Sequence, residues 1–292
     1  MTASCRAVLA LSLLAAAPAI AQRPATTADS LRDAFAEVNG VRLHYRVGGH
    51  GPAVVLLHGL VGSSAWWATL APQLVMKHTV IVPDLRGHGQ STNPSATFRH
   101  PVVATDILAL MDQLGITEFS LLGHSTGAGV SLHIAARRPE RVQKMILIGL
   151  GHRVTDAWRA TWTRYVPYDS LPPRFRDYWS RIHPGGRPQV DELLGYMRHL
   201  ADSVEDLNLP PDMIARIKAP TLIILGDRDS HPVEIATELY RMLPKSQLWI
   251  VPNSGHFPVW TEWGGNPSAG TVFPGVVQAF FTAPTPTEGR RR

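Results

Sequence analysis

Short continuous apolar runs recur along most of the chain, and stretches of helical length separate them. The runs fall at residues 53–57, 79–82, 119–122, 145–148, 221–225 and 248–251. Because these runs do not alternate with polar residues, they predict strands that are buried on both faces of a sheet. Ahead of them, alternating apolar residues flank Asn39-Gly40, which predicts a hairpin with strands at 35–38 and 41–47.

The segments between the runs predict helices at residues 66–76, 102–114, 127–138, 233–242 and 272–281. Alternation of strand and helix is typical of a mostly parallel sheet with helices on both faces. The interval 150–220 breaks this order, because it holds no convincing buried strand and is rich in aromatic residues and prolines. A structureless loop of that length is rare in a compact domain. The pattern therefore predicts an inserted helical cap at 152–215, with the core at 22–151 and 216–292.

The first 21 residues have the pattern of an export signal. Arg6 precedes a continuous apolar stretch at 7–17, Pro18 interrupts it, and Ala19-Ile20-Ala21 offers small residues before a cleavage site. We therefore expect a signal peptide at 1–21, a secreted or periplasmic mature chain, and no stable membrane insertion after cleavage. The single cysteine, Cys5, lies in this segment, so the mature chain is expected to lack disulfides, thiol nucleophiles and cysteine metal sites.

The composition excludes two broad classes of protein. Hydrophobic residues make up 45% of the chain and charged residues 17%, which argues against a disordered protein. The net charge is +5, but the basic residues are scattered apart from the arginines at 290–292. Nucleic-acid binding needs a concentrated basic stripe, so no nucleic-acid partner is predicted.

The clearest chemical motif is Gly123-His124-Ser125-Thr126-Gly127, which lies between a predicted buried strand and a predicted helix. A serine at such a tight strand-to-helix turn needs very small neighbours, and the two glycines supply that room. The turn lifts the serine hydroxyl above the sheet and places the helix N-terminus beneath it. We interpret Ser125 as a nucleophile.

A serine hydroxyl needs a base to remove its proton and an anion to orient that base. Downstream, acids Asp227 and Asp229 follow one predicted strand, and His256 follows the next. Ligands bind beyond the carboxyl ends of parallel strands, so these side chains are expected to meet Ser125 at one edge of the sheet. The reaction also needs two N–H donors for an oxyanion. The backbone of Thr126 and of Leu60, in the glycine-containing loop after the third strand, are our candidates.

Together these residues resemble the serine-nucleophile (esterase- and lipase-like) branch of the α/β-hydrolase fold superfamily, from about Val38 to Phe281. The matching motifs are His58-Gly59, Asp84-Leu85-Arg86-Gly87-His88-Gly89-Gln90-Ser91, the segment around Ser125, Gly226-Asp227-Arg228-Asp229 and Ser254-Gly255-His256-Phe257. The resemblance implies an eight-stranded sheet, a Ser-His-Asp triad and a helical cap after strand 6. Family spacing between a glycine and a proline favours Asp229 over Asp227 as the acid. A serine at 125, where dehalogenases and epoxide hydrolases of this fold have aspartate, argues against those members.

Several residues are candidates for the wall of a substrate pocket, although aromatic residues in the cap are expected to form mainly its own core. The candidates are His124, Trp66, Trp158, Trp162 and Trp260. A glycine-rich aromatic loop at 260–267 departs from the family pattern, and it either shapes the pocket or is a surface insertion. No His-x-His or His-x-x-x-His spacing indicates a metal site, and no cofactor is predicted.

The function expected from these residues is hydrolysis of small or medium carboxylic esters or lactones through an acyl-enzyme. The same triad also serves cofactor-free perhydrolases or haloperoxidases and hydrolases of amides or carbon–carbon bonds. A ligand-binding protein on a hydrolase scaffold is an alternative of a different class. The natural substrate, its acyl length and the oligomeric state are set by tertiary and quaternary contacts that these motifs do not specify.

Overall fold

The computed structural model describes residues 30–162, 167–202, 206 and 208–284. The predicted signal peptide at 1–21 lies outside these residues. Eight strands form one sheet: β1 (Arg32–Val38), β2 (Val41–Gly48), β3 (Ala53–Leu57), β4 (Thr79–Pro83), β5 (Phe119–His124), β6 (Val142–Ile148), β7 (Thr221–Gly226) and β8 (Ser246–Val251). Their spatial order is β1-β2-β4-β3-β5-β6-β7-β8. The predicted α/β fold with an eight-stranded, mostly parallel sheet is confirmed.

The two strands at the amino-terminal edge are antiparallel and form the predicted hairpin. Asn39 and Gly40 have φ angles of 48° and 75°, the left-handed values that a two-residue hairpin turn requires. β2 also runs antiparallel to β4, whereas every pair from β4 through β8 is parallel. The carboxyl ends of β3, β5, β6, β7 and β8 therefore open at the same edge of the sheet.

Nine helices accompany the sheet in the described part of the chain. They are α1 (Ala71–Leu74), α2 (His100–Gln113), α3 (Thr126–Arg137), α4 (Asp156–Trp162), α5 (Pro173–Ile182), α6 (Gly186–Asp202), α7 (Pro211–Ile214), α8 (Val233–Met242) and α9 (Pro267–Thr282). Short 3₁₀ turns occur at Ser64–Trp67, Tyr168–Ser170 and Thr261–Trp263.

Two helix predictions differ from the structure. The predicted helix at 66–76 is wrong, because a 3₁₀ turn at Ser64–Trp67 and the single-turn α1 replace it. Pro72 lacks an N–H and lies in the first turn of α1, a position that starts a new helix and cannot continue an earlier one. The last helix begins at Pro267, ahead of the predicted 272, because the Asn266 side chain accepts the Ala269 N–H and caps it.

The core lies in two apolar layers, one on each face of the sheet. Neighbouring residues of β5 point to opposite faces, so that Leu121 packs in one layer and Leu122 in the other. Helices α2, α3 and α8 contribute to the first layer, and α1 and α9 contribute to the second. None of the described helices has the length and apolar character needed to cross a membrane. This packing leaves the carboxyl edge of the strands free for a site.

The interval between β6 and β7 is helical, as its sequence predicts. Within the described residues it holds α4, α5, α6, α7 and the 3₁₀ turn Tyr168–Ser170, and no strand. The order of elements places this helical segment after the sixth strand. The domain boundaries at 152 and 215 stay a prediction.

Candidate active site

Ser125 lies in a strained turn between β5 and α3. Its φ and ψ angles are 53° and −118°, which are unusual for a residue other than glycine and typical of functional sites. The chain can turn so sharply because Gly123 and Gly127 are small. A Cβ atom on Gly123 would lie 2.4 Å from the Gly127 carbonyl oxygen, and one on Gly127 would lie 2.2 Å from the Leu57 carbonyl oxygen. No larger residue fits at either position without a shift of the backbone.

Three side chains from separate loops meet at this turn. The Ser125 Oγ lies 2.9 Å from His256 Nε2, and His256 Nδ1 lies 3.1 Å from both carboxylate oxygens of Asp229. An ionised carboxylate only accepts hydrogen bonds, so Nδ1 carries the imidazole proton. In the neutral form of the ring, Nε2 is then unprotonated, faces the serine hydroxyl and can accept its proton.

The two acids that follow β7 have different surroundings. The Asp229 side chain is fully buried and accepts further hydrogen bonds from the His231 N–H at 3.0 Å and the Ser230 hydroxyl at 3.1 Å. Asp227 is exposed and accepts the Ser254 N–H at 3.0 Å instead. Asp229 is therefore the acid that contacts the imidazole of His256, while Asp227 contacts the loop that carries this histidine.

Electrostatics in the site favour the charged form of the Asp229–His256 pair. Burial acts to lower the pKa of His256, but the negative charge and hydrogen bonds of Asp229 outweigh burial and raise it above 6.5. Burial acts to raise the pKa of Asp229, but His256 and His231 hold it well below its usual range. Burial also lowers the pKa of His231 to about 4 and that of His124 to about 3. These two neighbours are therefore neutral near pH 7.

Two backbone N–H groups border the serine without a partner. Among the described residues, no acceptor contacts the N–H of Leu60 or of Thr126, and both residues line the same pocket as Ser125. The loop that carries Leu60 approaches the serine closely, since a Cβ atom on Gly59 would lie 3.2 Å from the Ser125 Cβ. Both backbone donors predicted for an oxyanion site thus lie beside Ser125, and their role in the reaction stays a prediction.

A largely apolar pocket of about 250 Å³ opens above Ser125. Beyond Ser125, His256 and the two donor residues, its lining is Gly59, Gly62, Trp66, His124, Trp158, Leu171, Pro172, Phe175, Trp179, Leu194, Met197, Leu200 and Phe257. No lysine, arginine, aspartate or glutamate is found among these described lining residues. The pocket therefore suits an uncharged, apolar group.

The predicted wall residues have three different outcomes. His124, Trp66 and Trp158 line the pocket. Trp260 does not; it packs behind the wall, with ring centroids 4.8 Å from His124 and 5.1 Å from Trp66. The side chain of Trp162 lies outside the described residues. Trp260 therefore supports the wall from the side of the core, where its ring also packs against Trp67 and Phe273.

The unusual loop at 260–267 joins the core to the helical segment. The Trp263 ring stacks near Phe175 at 5.0 Å and contacts Tyr178 at 5.0 Å, both on α5, and it lies 5.7 Å from Trp66. Trp263 was not among the predicted site residues. Its position in an aromatic, glycine-rich insertion directly after His256 was the signal that could have identified it.

Most of the remaining wall comes from the helical segment, and sequence reasoning missed it. These residues are Leu171, Pro172, Phe175, Trp179, Leu194, Met197 and Leu200. The strong segregation of apolar and polar residues in α5 could have indicated a face with something to cover. The direction of that face depends on how the helices dock.

The described residues contain no group of three or more His, Cys, Asp or Glu side chains arranged to hold a metal ion. A hydroxyl, an oriented base and two N–H donors around one cavity can carry out nucleophilic attack on a carbonyl.

Comparisons with known proteins agree with this fold. The family model described as alpha/beta hydrolase fold matches residues 52–187. An uncharacterized protein of Mycobacterium tuberculosis is 38% identical over 257 residues, covering 77% of this chain and 75% of its own length. The 2-hydroxymuconate semialdehyde hydrolase of Pseudomonas sp. strain CF600 is 27% identical, covering 76% of this chain and 86% of its own.

A similar solved structure is that of the enol-lactonase from Burkholderia xenovorans LB400. It has a TM-score of 0.66 and 25% identity, and the match covers 86% of this chain and all of that one. Both of these named relatives, the semialdehyde hydrolase and the enol-lactonase, are hydrolases. The sheet order, the serine turn and the extent of these matches together show that the chain belongs to the α/β-hydrolase fold family.

Proposed function

We propose that this protein is a serine hydrolase that cleaves neutral carboxylic esters or lactones. The observation that carries the proposal is the continuous chain of contacts from Ser125 Oγ through His256 to Asp229, at the floor of an apolar pocket. A hydroxyl held against an oriented imidazole is the arrangement that makes serine nucleophilic.

The reaction follows from the positions of these groups. His256 Nε2 accepts the hydroxyl proton as Ser125 Oγ attacks the substrate carbonyl carbon. The N–H groups of Leu60 and Thr126 donate to the negative oxygen that forms. The protonated imidazole, stabilised by Asp229, then donates its proton to the leaving alkoxide, and an acyl-enzyme remains. Water activated by the same imidazole hydrolyses that ester and restores the serine.

The character of the pocket favours uncharged substrates. No cationic side chain lines the described pocket, so a substrate carboxylate would lose its hydration there without gaining a partner. A lactone is neutral, and the similar enol-lactonase supports this class. A matched relative whose named substrate is a muconate semialdehyde supports cleavage of carbon–carbon bonds as a second candidate. Perhydrolysis and amide hydrolysis use the same triad and are separated from ester hydrolysis by product analysis.

The test is a substrate panel assayed with the wild type and with Ser125→Ala. The panel holds p-nitrophenyl esters of graded acyl length, neutral lactones and an anionic dienoate for the carbon–carbon reaction. We expect ester or lactone turnover that falls by a factor on the order of 10⁴–10⁶ in Ser125→Ala. Ser120→Ala is the matched control, because Ser120 is a buried serine on β5, the strand before Ser125, and lies outside the pocket.

Ester hydrolysis at the native rate by Ser125→Ala contradicts the proposal. Turnover of the dienoate alone assigns the chain to the carbon–carbon class. Lack of turnover, together with no labelling of Ser125 by a fluorophosphonate, favours a non-catalytic binding protein on the hydrolase scaffold.

Export is part of the proposal. The apolar stretch at 7–17, followed by Pro18 and Ala19-Ile20-Ala21, supports removal of 1–21 during transport to a secreted or periplasmic location. The test is expression with the native amino terminus in a bacterial host, followed by mass determination of the exported protein. A mature chain that starts at Gln22 is expected, and retention of the whole chain in the cytoplasm contradicts export.

A further inference from the structure

The turn that carries the proposed oxyanion donor contains a strained residue. The Gly62 N–H donates to the Gly59 carbonyl at 3.0 Å, so residues 59–62 form a tight turn. Val61, its third residue, has a φ angle of 61°. A β-branched residue in the left-handed region is a genuine outlier, and such a backbone persists where its surroundings hold it.

The contact on Val61 comes from the helical segment between β6 and β7. His183 directly follows α5 and is 1% exposed. Its Nδ1 accepts the Gly89 N–H at 2.9 Å, so its proton resides on Nε2. Nε2 then donates to the Val61 carbonyl oxygen at 3.0 Å. The backbone donor at Gly89 fixes the tautomer that the Val61 contact requires.

The other end of the turn is held from within the core. His58 Nε2 accepts the Leu85 N–H at 3.0 Å, so its Nδ1 carries the proton and donates to the Gly59 carbonyl at 2.8 Å. Burial lowers the pKa of both His58 and His183, and both rings are therefore neutral near pH 7. Two buried, neutral imidazoles thus donate hydrogen bonds to the carbonyls on either side of Leu60. His58 reaches the Gly59 carbonyl from the core, and His183 reaches the Val61 carbonyl from the helical segment.

We propose that His183 is a positioning residue that holds the oxyanion turn in its active conformation through the Val61 carbonyl. This inference rests on the proposed function, because it takes the Leu60 N–H as an oxyanion donor. Without the His183 contact, Val61 can relax toward negative φ, and the backbone beside Leu60 changes course. The Leu60 donor then moves away from the developing oxyanion, so the transition state loses stabilisation while ground-state binding changes little.

The experiment compares three single variants by steady-state kinetics with a p-nitrophenyl ester. His183→Leu removes both hydrogen bonds, and we expect kcat to fall by about 10- to 100-fold with KM within about twofold. His183→Gln offers an amide donor and acceptor in similar positions and is expected to retain kcat within about threefold. Gln189→Leu is the matched control, because Gln189 on α6 donates to the carbonyls of Gly87 and Gly89 and leaves Val61 untouched.

A trifluoromethyl ketone, which forms a tetrahedral adduct on a serine, supplies a second kinetic measurement. We expect its inhibition constant to rise in His183→Leu by the same factor as kcat falls, because the adduct uses the same donors. Unchanged kcat in His183→Leu overturns the proposal. An equal loss in Gln189→Leu, or a loss in His183→Gln as large as in His183→Leu, also overturns it, since each indicates a general role in docking.

Val61→Gly tests the strain directly, because glycine adopts positive φ without a stabilising contact such as the His183 hydrogen bond. In the Val61→Gly background, the loss of kcat caused by His183→Leu is expected to shrink below about threefold. An undiminished loss overturns the proposal. If His183→Leu does not fold, His183→Ala, which also removes both hydrogen bonds, replaces it in each of these comparisons.

A crystal structure of His183→Leu, or of His183→Ala if the former does not fold, separates this inference from the proposed function. We expect Val61 to relax to negative φ in His183→Leu and to stay near 61° in His183→Gln. This result supports the positioning role of His183 whatever the substrate is. Retention of φ near 61° in His183→Leu overturns it. If Ser125→Ala does not lower ester turnover, in contrast, the proposed function is wrong, while the effect of His183 on the backbone of Val61 is unaffected.

Discussion

The imidazole of His124, the residue before Ser125, hydrogen bonds to the backbone of His256. His124 Nε2 lies 2.9 Å from the His256 carbonyl oxygen, and since a carbonyl only accepts, Nε2 carries the proton. The ring stacks on Trp66, with centroids 5.5 Å apart and planes 14° apart. The proposed nucleophile and the proposed base are thus linked twice, once through their side chains and once through this neighbour.

We predict that His124→Leu lowers kcat by about tenfold, because the loop of His256 loses an anchor and the base shifts from its position beside Ser125. His124→Gln keeps a side-chain N–H donor, and its kcat is expected to fall by less than about threefold. The measurement is kcat with a p-nitrophenyl ester, with the melting temperature recorded for each variant. Equal losses in the two variants contradict an anchoring role for the hydrogen bond.

The two acids after β7 give a matched pair of variants. Asp229→Asn is expected to lower kcat by roughly 10⁴-fold, because the amide no longer fixes the tautomer of His256 or stabilises its charge. Asp227→Asn leaves the exposed bond to the Ser254 N–H nearly intact, and kcat is expected to stay within about threefold. If Asp227→Asn has the larger effect, the assignment of the orienting acid is wrong.

The dependence of activity on pH follows from the raised pKa of His256. The imidazole acts as a base only when it is neutral, so kcat/KM is expected to rise with pH and level off above an apparent pKa higher than 6.5. Asp229→Asn removes the charge that raises this pKa, and the midpoint of the residual activity is expected to move down.

The raised pKa of His256 also affects the stability of the folded protein. Activity is expected to rise with pH, whereas the contribution of this pair to stability is expected to fall. A raised folded-state pKa means that the protonated His256–Asp229 pair stabilises the folded protein at pH below 6.5, and this contribution is lost as pH rises through the folded pKa. Melting temperatures of wild type and Asp229→Asn between pH 5 and 9 measure the difference. For the activity prediction, a wild-type kcat/KM profile whose acid limb is centred below pH 6.5 contradicts the raised pKa of His256.

Trp263 is expected to control how well the helical segment covers the pocket. Trp263→Ala removes the contacts with Phe175 and Tyr178 on α5, each worth on the order of 1 kcal/mol. We predict that KM for a medium-chain ester rises about three- to tenfold while kcat stays within about twofold, since the triad does not touch this ring. Trp263→Phe is expected to restore most of the binding. Glu262→Ala, at an exposed neighbouring position, is the control, and an equal change in KM there contradicts the prediction.

The sequence by itself determined the sheet, the serine turn and the order of the chemical residues. Continuous apolar runs predicted the parallel strands because such strands are buried on both faces, and Asn39-Gly40 predicted the hairpin because few residue pairs adopt its backbone angles. The glycines around Ser125 likewise reflect a local constraint, since a larger side chain at either position would collide with the backbone. Each of these features depends on interactions between residues that are close in sequence or on burial that repeats with a simple period.

Only the tertiary structure decided which side chains meet. The contact between His183 and Val61 spans 122 positions, and that between His124 and His256 spans 132. Nothing in the local sequence of either partner encodes these contacts. The same holds for the pocket wall, where Phe175 and Trp179 line the cavity while Trp260 packs behind it. An apolar periodicity indicates that a helix has a face to bury. Which residues cover that face depends on the packing of the whole core, and therefore on many distant residues at once.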